Sequence, residues 1–121
     1  MSEQASAEQP SDVTERIRQQ IAENPVLLYM KGTPQLPMCG FSMRTAEVLK
    51  ACEREFAFVN IIADPAIRET LPKLSDWPTF PQLYLEGELV GGCDIVTEMA
   101  ESGELKKLVD KASETKAAAA G

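Results

Sequence analysis

The sequence predicts an α/β fold in which helices flank one mixed four-stranded sheet, and three observations favour this class. Five consecutive apolar residues, VLLYM at 26–30, are typical of a strand that is buried on both faces of a sheet. Apolar residues at helical spacing lie on either side of this run. Two short strands joined at a glycine follow nearer the C-terminus. Parallel and antiparallel neighbours are therefore expected in the same sheet.

The length and composition are those of one globular domain. A chain of 121 residues is long enough for a single core, and 44% apolar with 26% charged residues is an ordinary composition for such a domain. Polar and small residues at both ends predict disordered tails at 1–10 and 113–121. The working domain is expected to run from 11 to 112.

In chain order, the first predicted element is a helix that Ser11 or Asp12 caps and that Asn24-Pro25 ends. The buried strand follows, and a loop with two prolines and two glycines then leads into a second helix that begins at Cys39. The apolar stripe of this helix is predicted at Phe41, Val48, Leu49, Cys52 and Phe56.

The second half of the chain begins with a predicted strand, FAFVNII at 56–62, and a short helix that Asp64 caps. A hairpin then turns at Gly87. Asp94 is expected to cap a last helical region, which Gly103 interrupts. Strands and helices in this order describe a thioredoxin-like architecture.

Charge and residue usage exclude several classes of function. A net charge of −7 without any basic run argues against nucleic acid as a partner, because phosphate contacts need clustered cations. The sequence shows neither a basic and apolar leader nor about 18 consecutive apolar residues, so we expect no export and no membrane insertion. Three irregularly spaced cysteines favour a reducing, cytoplasmic compartment. The absence of histidine excludes Cys–His nucleophile pairs and His-ligated metal sites.

Cys39 is the first candidate site residue. At a helix N-terminus, free amides and the helix dipole stabilise a thiolate, and Lys31 at the end of the preceding strand adds positive charge. The alternative is a buried structural cysteine. A dithiol oxidoreductase needs a second, resolving thiol three residues later, where this chain has Ser42. Cys52 is no substitute, because its helical phase predicts a core residue.

The second candidate segment is WPTFP at 77–81, where two prolines three apart flank the start of a strand. Such a bend leaves backbone groups unpaired, and a cis bond before Pro81 is plausible. The N–H and C=O of Phe80 can then pair with an extended peptide as an added strand would. The alternative is a proline-rich turn with no ligand.

The third candidate segment is GGCD at 91–94, between a strand and a helix. Its amides can receive a carboxylate while the Asp94 side chain receives an amine, so one α-amino-acid group would satisfy both. The alternative is that Asp94 serves only as a helix N-cap. Cys93 is either a small apolar filler or a second reactive thiol.

KGTPQLPMCGFS, WPTFPQLYLEGELVGGCD and the spacing between them closely resemble the CGFS-type monothiol glutaredoxins, and the single-domain bacterial members in particular. The resemblance covers about 13–108. It implies a thioredoxin fold, noncovalent binding of glutathione, and a [2Fe–2S] cluster bridged between two protomers. It also implies a BolA-like protein as a heterodimer partner and iron–sulfur proteins as recipients of the cluster.

The resemblance also implies roles for individual residues. Cys39 would be the redox-active residue and the cluster ligand, and the glutathione-binding residues would be Lys31, Arg68, Thr79, Phe80, Gly92, Cys93 and Asp94. Lys31 and Arg68 would hold the glycine carboxylate of glutathione. Phe80 would pair with the cysteinyl backbone, and Cys93 with Asp94 would take the γ-glutamyl end.

Ligand counting links cluster binding to dimerisation. A [2Fe–2S] cluster usually takes four thiolates, and this chain presents one suitable thiol at a helix start. One glutathione thiolate per chain gives two, and two such half-sites supply four. The first functional hypothesis is therefore an iron–sulfur carrier and not an enzyme.

The second hypothesis is a glutathione-dependent oxidoreductase. Cys39 would attack glutathionylated substrates, and free glutathione or Cys93 would resolve the intermediate. Ser42 at the resolving position favours the carrier. An adaptor that needs no cluster has no sequence feature of its own.

Overall fold

The computed structural model describes residues 9–120, which form five helices and one four-stranded sheet. The helices are α1 (Pro10–Glu23), α2 (Gly40–Lys50), α3 (Pro65–Ser75), α4 (Cys93–Ser102) and α5 (Glu104–Ala120), and the strands are β1 (Val26–Met30), β2 (Ala57–Asn60), β3 (Gln82–Leu85) and β4 (Glu88–Gly91). In the strand order β2-β1-β3-β4, β1 pairs in parallel with β2 and antiparallel with β3. The mixed sheet of a thioredoxin fold is confirmed.

The central strand β1 is buried along its whole length. Alternate residues face opposite sides of the sheet, so Leu28 and Met30 pack in a cluster with α2, α4 and α5. Leu27 and Tyr29 pack on the other side with α1 and α3. Helices on both faces explain why this strand is a continuous apolar run instead of an alternating one.

Several predicted features are confirmed at the level of single residues. Cys39 is the N-cap of α2. Asp64 caps α3, because its side chain accepts a hydrogen bond from the N–H of Ile67 at 3.4 Å. The β3–β4 hairpin turns at Glu86 and Gly87, which have φ values of 51° and 86°. Glycine adopts this left-handed conformation without strain, which favours a tight turn at that position.

The helix ends differ from the predicted ones. Gln9 is the N-cap of α1 instead of Ser11 or Asp12, because Pro10 occupies the first helical position, where its missing N–H is not needed. The predicted tail at 1–10 lies outside the described residues apart from 9 and 10. α5 continues to Ala120, whereas the sequence predicts a disordered tail at 113–121; the strong helix propensity of alanine accounts for this. Among the described helices, none is long and apolar enough to cross a membrane.

Two predictions about α2 have different outcomes. The Phe41 side chain is 65% exposed, so its assignment to the buried stripe is wrong. The buried face of α2 consists of residues 42, 45, 46 and 49, and Phe41 lies one position, or about 100° of helix rotation, away from it. Cys52 is only 4% exposed and belongs to the core, as predicted, although it lies in the turn after α2.

We predict that Cys52→Ala behaves as a core substitution. Loss of the buried sulfur, which lies 3.5 Å from the carbonyl oxygen of Val48, should lower the free energy of unfolding by about 1 kcal/mol. Urea unfolding measures this change. Cys93→Ala is the matched control, because Cys93 is partly exposed and its removal should cost less. An equal loss in both variants would contradict the assignment of Cys52 to the core.

Candidate functional site

The thiol of Cys39 lies against the first turn of α2. Its sulfur accepts a hydrogen bond from the N–H of Ser42 at 3.4 Å and lies 3.6 Å from the Ser42 hydroxyl oxygen. Burial opposes the charged form, but hydrogen bonds from Ser42 and from the Phe41 backbone, with the nearby charge of Lys31, outweigh it. The pKa of the Cys39 thiol therefore lies below its ordinary value.

The loop between β1 and α2 forms a narrow turn that brings Cys39 back to the end of β1. The N–H of Met38 donates to the carbonyl oxygen of Lys31 at 2.9 Å, and Thr33 and Leu36 exchange backbone hydrogen bonds. Gly32 has a φ of 92°, and a Cβ at this position would lie 2.5 Å from the carbonyl oxygen of Leu36. Only glycine fits this close approach of the two backbones.

A cavity of about 680 Å³ lies beside this turn. Seven of the eight predicted site residues line it: Lys31, Arg68, Thr79, Phe80, Gly92, Cys93 and Asp94. The eighth, Cys39, does not line the cavity itself, but Phe41, two positions further along the chain, does. The structure therefore brings together residues that are far apart in the sequence.

The charged side chains of the cavity have no ionic partners among the described residues. Lys31 follows β1, Arg68 lies on α3, and Asp94 lies on α4, and none of the three forms a salt bridge within residues 9–120. The cavity thus offers two cations and one carboxylate to a ligand. This combination suits a molecule that carries both carboxylate and ammonium groups.

The segment before β3 lines the cavity with its backbone. The Phe80–Pro81 peptide bond is cis, as the sequence indicates. Gln82, whose side chain is fully buried, donates hydrogen bonds to the carbonyl oxygens of Trp77 and Thr79 at 3.0 and 3.3 Å. Within the described part of the chain, neither backbone group of Phe80 has a hydrogen-bond partner. Both groups are available to an extended ligand.

The N-terminus of α4 forms another wall of the cavity. Gly92, and not Asp94, is the N-cap of this helix, because α4 begins at Cys93, two residues after β4 ends at Gly91, and places Asp94 in the first turn. The Asp94 carboxylate is exposed and makes no hydrogen bond to a described residue, so the N-cap alternative is wrong. A Cβ on Gly92 would lie 3.2 Å from the Pro81 carbonyl oxygen. The absence of a side chain there keeps the wall open.

Trp77 contributes an unpaired polar atom to the same cavity. Its indole Nε1 is buried and has no hydrogen-bond partner among the described residues. It would lie 3.4 Å from a Cβ on Gly92. Buried donors are nearly always paired in folded proteins, so an unpaired one is consistent with a ligand site. The sequence pattern predicts Trp77 only as part of a bend.

The cavity also contains residues that sequence reasoning missed. Phe41, which the helical pattern assigns to the core, lines the cavity, and so does Ile95, which is 37% exposed and belongs to none of the three candidate segments. For Ile95 the available signal was its place directly after the GGCD segment. For Phe41, the one-residue offset from the buried face of α2 could have indicated an exposed position.

The three cysteines occupy three different environments, and all are free thiols. Cys52 is buried in the core, where burial raises the pKa of its thiol. Cys93 is partly exposed and lines the cavity, with its sulfur 3.9 Å from the Thr97 hydroxyl oxygen. Cys39 is partly exposed at the start of α2. Two of the three thiols are therefore accessible to a ligand.

Comparison with known proteins gives consistent results. A family model described as glutaredoxin matches residues 26–90. The chain is 59% identical over 99 residues to Glutaredoxin 4 of Escherichia coli (strain K12), covering 82% of this chain and 86% of that protein. Among solved structures, that of reduced poplar apo GrxS14 has 42% identity and a TM-score of 0.73, covering 84% of this chain and 94% of that one. A monomeric truncated mutant of Trypanosoma brucei 1-C-Grx1 has 40% identity and a TM-score of 0.72, covering 84% and 89%.

The lowered pKa of Cys39 predicts how its thiol titrates. In a Cys93→Ser background, the ultraviolet absorbance of the thiolate should appear at lower pH than for an ordinary cysteine, whose pKa is about 8.5. Ser42→Ala removes one stabilising hydrogen bond, so its midpoint should move to higher pH. Thr45→Val, which removes a hydroxyl that bonds only to the Phe41 carbonyl, is the control and should leave the midpoint unchanged. Identical curves for all three proteins would exclude the role of the Ser42 hydroxyl.

Proposed function

The chain belongs to the glutaredoxin family as a monothiol member, and from that premise we propose that it binds glutathione and carries a [2Fe–2S] cluster for assembly, storage or transfer. One observation carries the proposal. A cavity that holds two cations and one carboxylate, all without ionic partners among the described residues, lies beside a thiol at a helix N-terminus. Glutathione has the complementary charges, and its own thiol can join Cys39 on iron.

The charges of the cavity support glutathione as the ligand. Glutathione is an extended tripeptide with two carboxylates and one ammonium group. Lys31 and Arg68 would bind its glycine carboxylate through charge-assisted hydrogen bonds. The free amides at the start of α4, including that of Cys93, would receive the γ-glutamyl carboxylate. Asp94 would accept from the ammonium group, which accounts for every charge on both sides.

The backbone of the cavity fits the middle of the same ligand. Phe80 has an N–H and a C=O that lack partners among the described residues, and a peptide can pair with both groups as an added strand would. Thr79 lies exposed beside it and can add a hydroxyl group. Gly92 leaves room on the facing wall. These features support binding along the length of the tripeptide.

The environments of the thiols support a cluster shared between two chains. Cys52 is too deeply buried to reach iron, and Cys93 lies where the γ-glutamyl end of glutathione is proposed to bind. Each chain would then supply Cys39 and one glutathione thiolate. Because a [2Fe–2S] cluster usually takes four thiolates, two protomers would be needed. The cluster is cargo in this scheme, and a cluster-bridged homodimer is the species that holds it.

Exposed apolar side chains near Cys39 support a protein contact at the same place. Leu36 is 72% exposed, Met38 61% and Phe41 65%. Several large apolar side chains exposed together are typical of an interaction surface. We infer that this surface receives the second protomer, a BolA-like protein as a heterodimer partner, or an iron–sulfur recipient protein. The proposed compartment is the cytoplasm, in keeping with free thiols.

A glutathione-dependent oxidoreductase is the second candidate function. The position of Cys93 in the glutathione cavity favours it, because this thiol could resolve a mixed disulfide on Cys39. Ser42, at the usual resolving position, favours the carrier. We therefore propose a carrier and not an enzyme, with at most weak oxidoreductase activity.

Anaerobic reconstitution with iron and sulfide tests the proposal. Visible absorbance of a [2Fe–2S] cluster should develop only when glutathione is present, and the coloured species should elute as a dimer. Cys39→Ser removes a thiolate at nearly constant volume, so the variant should fold and stay colourless. Cys52→Ala is the matched control and should keep the full cluster content. Colour without glutathione, or in folded Cys39→Ser, would contradict the proposed ligand set.

Asp94→Asn tests the binding of the γ-glutamyl end. The substitution keeps the shape of the side chain but removes its charge, so glutathione affinity should fall about tenfold and the cluster half-life should shorten. Stability should change by less than about 1 kcal/mol, because only a favourable charge near the α4 N-terminus is lost. Titration calorimetry measures the affinity.

The control for Asp94→Asn is Glu98→Gln, which removes a charge from an exposed position of the same helix outside the cavity. Its affinity should equal that of the unmodified protein. Unchanged binding in Asp94→Asn would show that the ammonium group of glutathione is bound elsewhere.

A further inference from the structure

Two consecutive backbone amides that follow β1 are bound by side chains from two different elements. The N–H of Lys31 donates to the hydroxyl oxygen of Ser42 at 3.0 Å, and the N–H of Gly32 donates to Oδ1 of Asn60 at 2.9 Å. β1 has already ended at Met30, so these amides lie beyond the strand ladder. Beyond the end of β1, side chains therefore take over as hydrogen-bond partners of the backbone, at the point where Lys31 lines the cavity.

Ser42 is well placed for this contact. It lies in the first turn of α2 and is fully buried. A hydroxyl oxygen has two acceptor lone pairs, so Ser42 can accept from the N–H of Lys31 and also from the Cys39 thiol 3.6 Å away. One side chain therefore contacts both the end of β1 and the site thiol.

Asn60, at the end of β2, binds the second of the two amides. It is the last residue of β2 and pairs in register with Met30 of the central strand. Its carboxamide oxygen accepts from Gly32 and also from the N–H of Ile62 at 3.0 Å. The Lys31–Gly32 backbone is thus bound between α2 and the end of β2.

We propose that Ser42 and Asn60 are positioning residues, which hold the Lys31–Gly32 backbone so that Lys31 presents its ammonium group to a ligand carboxylate. Neither of them lines the cavity, so we expect both to act on the ligand through the Lys31–Gly32 backbone. A lysine side chain has many rotamers, and a fixed backbone reduces the conformational freedom that binding must remove. This proposal rests on the proposed binding of glutathione.

The same geometry gives the serine of the monothiol motif a positive role. Sulfur is a weak acceptor, so a cysteine at position 42 would leave the N–H of Lys31 poorly paired. Ser42 therefore does more than occupy the position of a resolving thiol. It is the acceptor that joins the end of β1 to α2.

The test uses S-methylglutathione as the probe, because its blocked thiol cannot react with Cys39. Ser42→Ala frees the amide of Lys31 and Asn60→Ala frees that of Gly32, so each should lower its affinity about fivefold. Thr45→Val is the matched control, since Thr45 is equally buried in α2 but bonds only to the Phe41 carbonyl. Its affinity should equal that of the unmodified protein.

A Lys31→Gln background separates positioning from a general structural effect. If Ser42 and Asn60 act through Lys31, their substitutions should cause little further loss of affinity in that background. Amide hydrogen exchange measured by NMR gives a second readout. The amide of Lys31 should exchange about tenfold faster in Ser42→Ala, and that of Gly32 in Asn60→Ala, while the core amides of β1 stay protected.

The outcomes distinguish this proposal from the proposed function. An unmodified chain that does not bind S-methylglutathione would overturn the proposed function itself. A chain that binds it equally well with Ser42→Ala and Asn60→Ala would overturn positioning alone. Positioning would also be overturned if either substitution lowered the affinity in the Lys31→Gln background as much as it does in the unmodified chain, since the effect would then not pass through Lys31.

Discussion

Burial of β1 on both faces is the constraint on which the site depends. Its five residues are buried, with α2, α4 and α5 on one face and α1 and α3 on the other. The strand ends at Met30, where the start of α2 and the end of β2 meet the chain. Because β1 contributes to both hydrophobic clusters and pairs with β2, the start of α2 and the end of β2 are fixed relative to it. Lys31 and Cys39 are therefore held near the C-terminal end of β1 without a direct bond between their side chains.

The salt bridges of the described residues lie away from the cavity, whereas the charged side chains of the cavity form none. Arg54 pairs with Asp110 at 2.9 Å away from the cavity, whereas Lys31, Arg68 and Asp94 have no salt bridge among the described residues. An exposed ion pair contributes about 0–1 kcal/mol, so leaving such charges unpaired costs the fold little. A ligand that brings complementary charges can form charge-assisted hydrogen bonds with all three groups at once, and these are stronger than hydrogen bonds between neutral groups. The fold can therefore keep these groups ready for binding.

Prediction from the sequence succeeded where the signal is local. The apolar run of β1, the Gly87 turn and the Asp64 cap each depend on neighbouring residues, and the structure contains all three. It failed for Phe41 and the predicted Asp94 cap, where one position along a helix decides exposure or capping. The backbone contacts made by Asn60 and Ser42 had no local signal, since each joins segments that are remote in the sequence.

The replacement of a resolving thiol by Ser42 changes which chemistry the site favours. Without a thiol at position 42, a mixed disulfide on Cys39 could be resolved only by Cys93 or by a free thiol such as that of glutathione. The hydrogen bonds from Ser42 still lower the pKa of the Cys39 thiol. Metal ligation requires a deprotonated thiol, so a lower pKa reduces the free energy needed to release the proton before iron binds. Under the proposed function, the substitution that weakens disulfide exchange thus leaves intact the property that a cluster ligand needs.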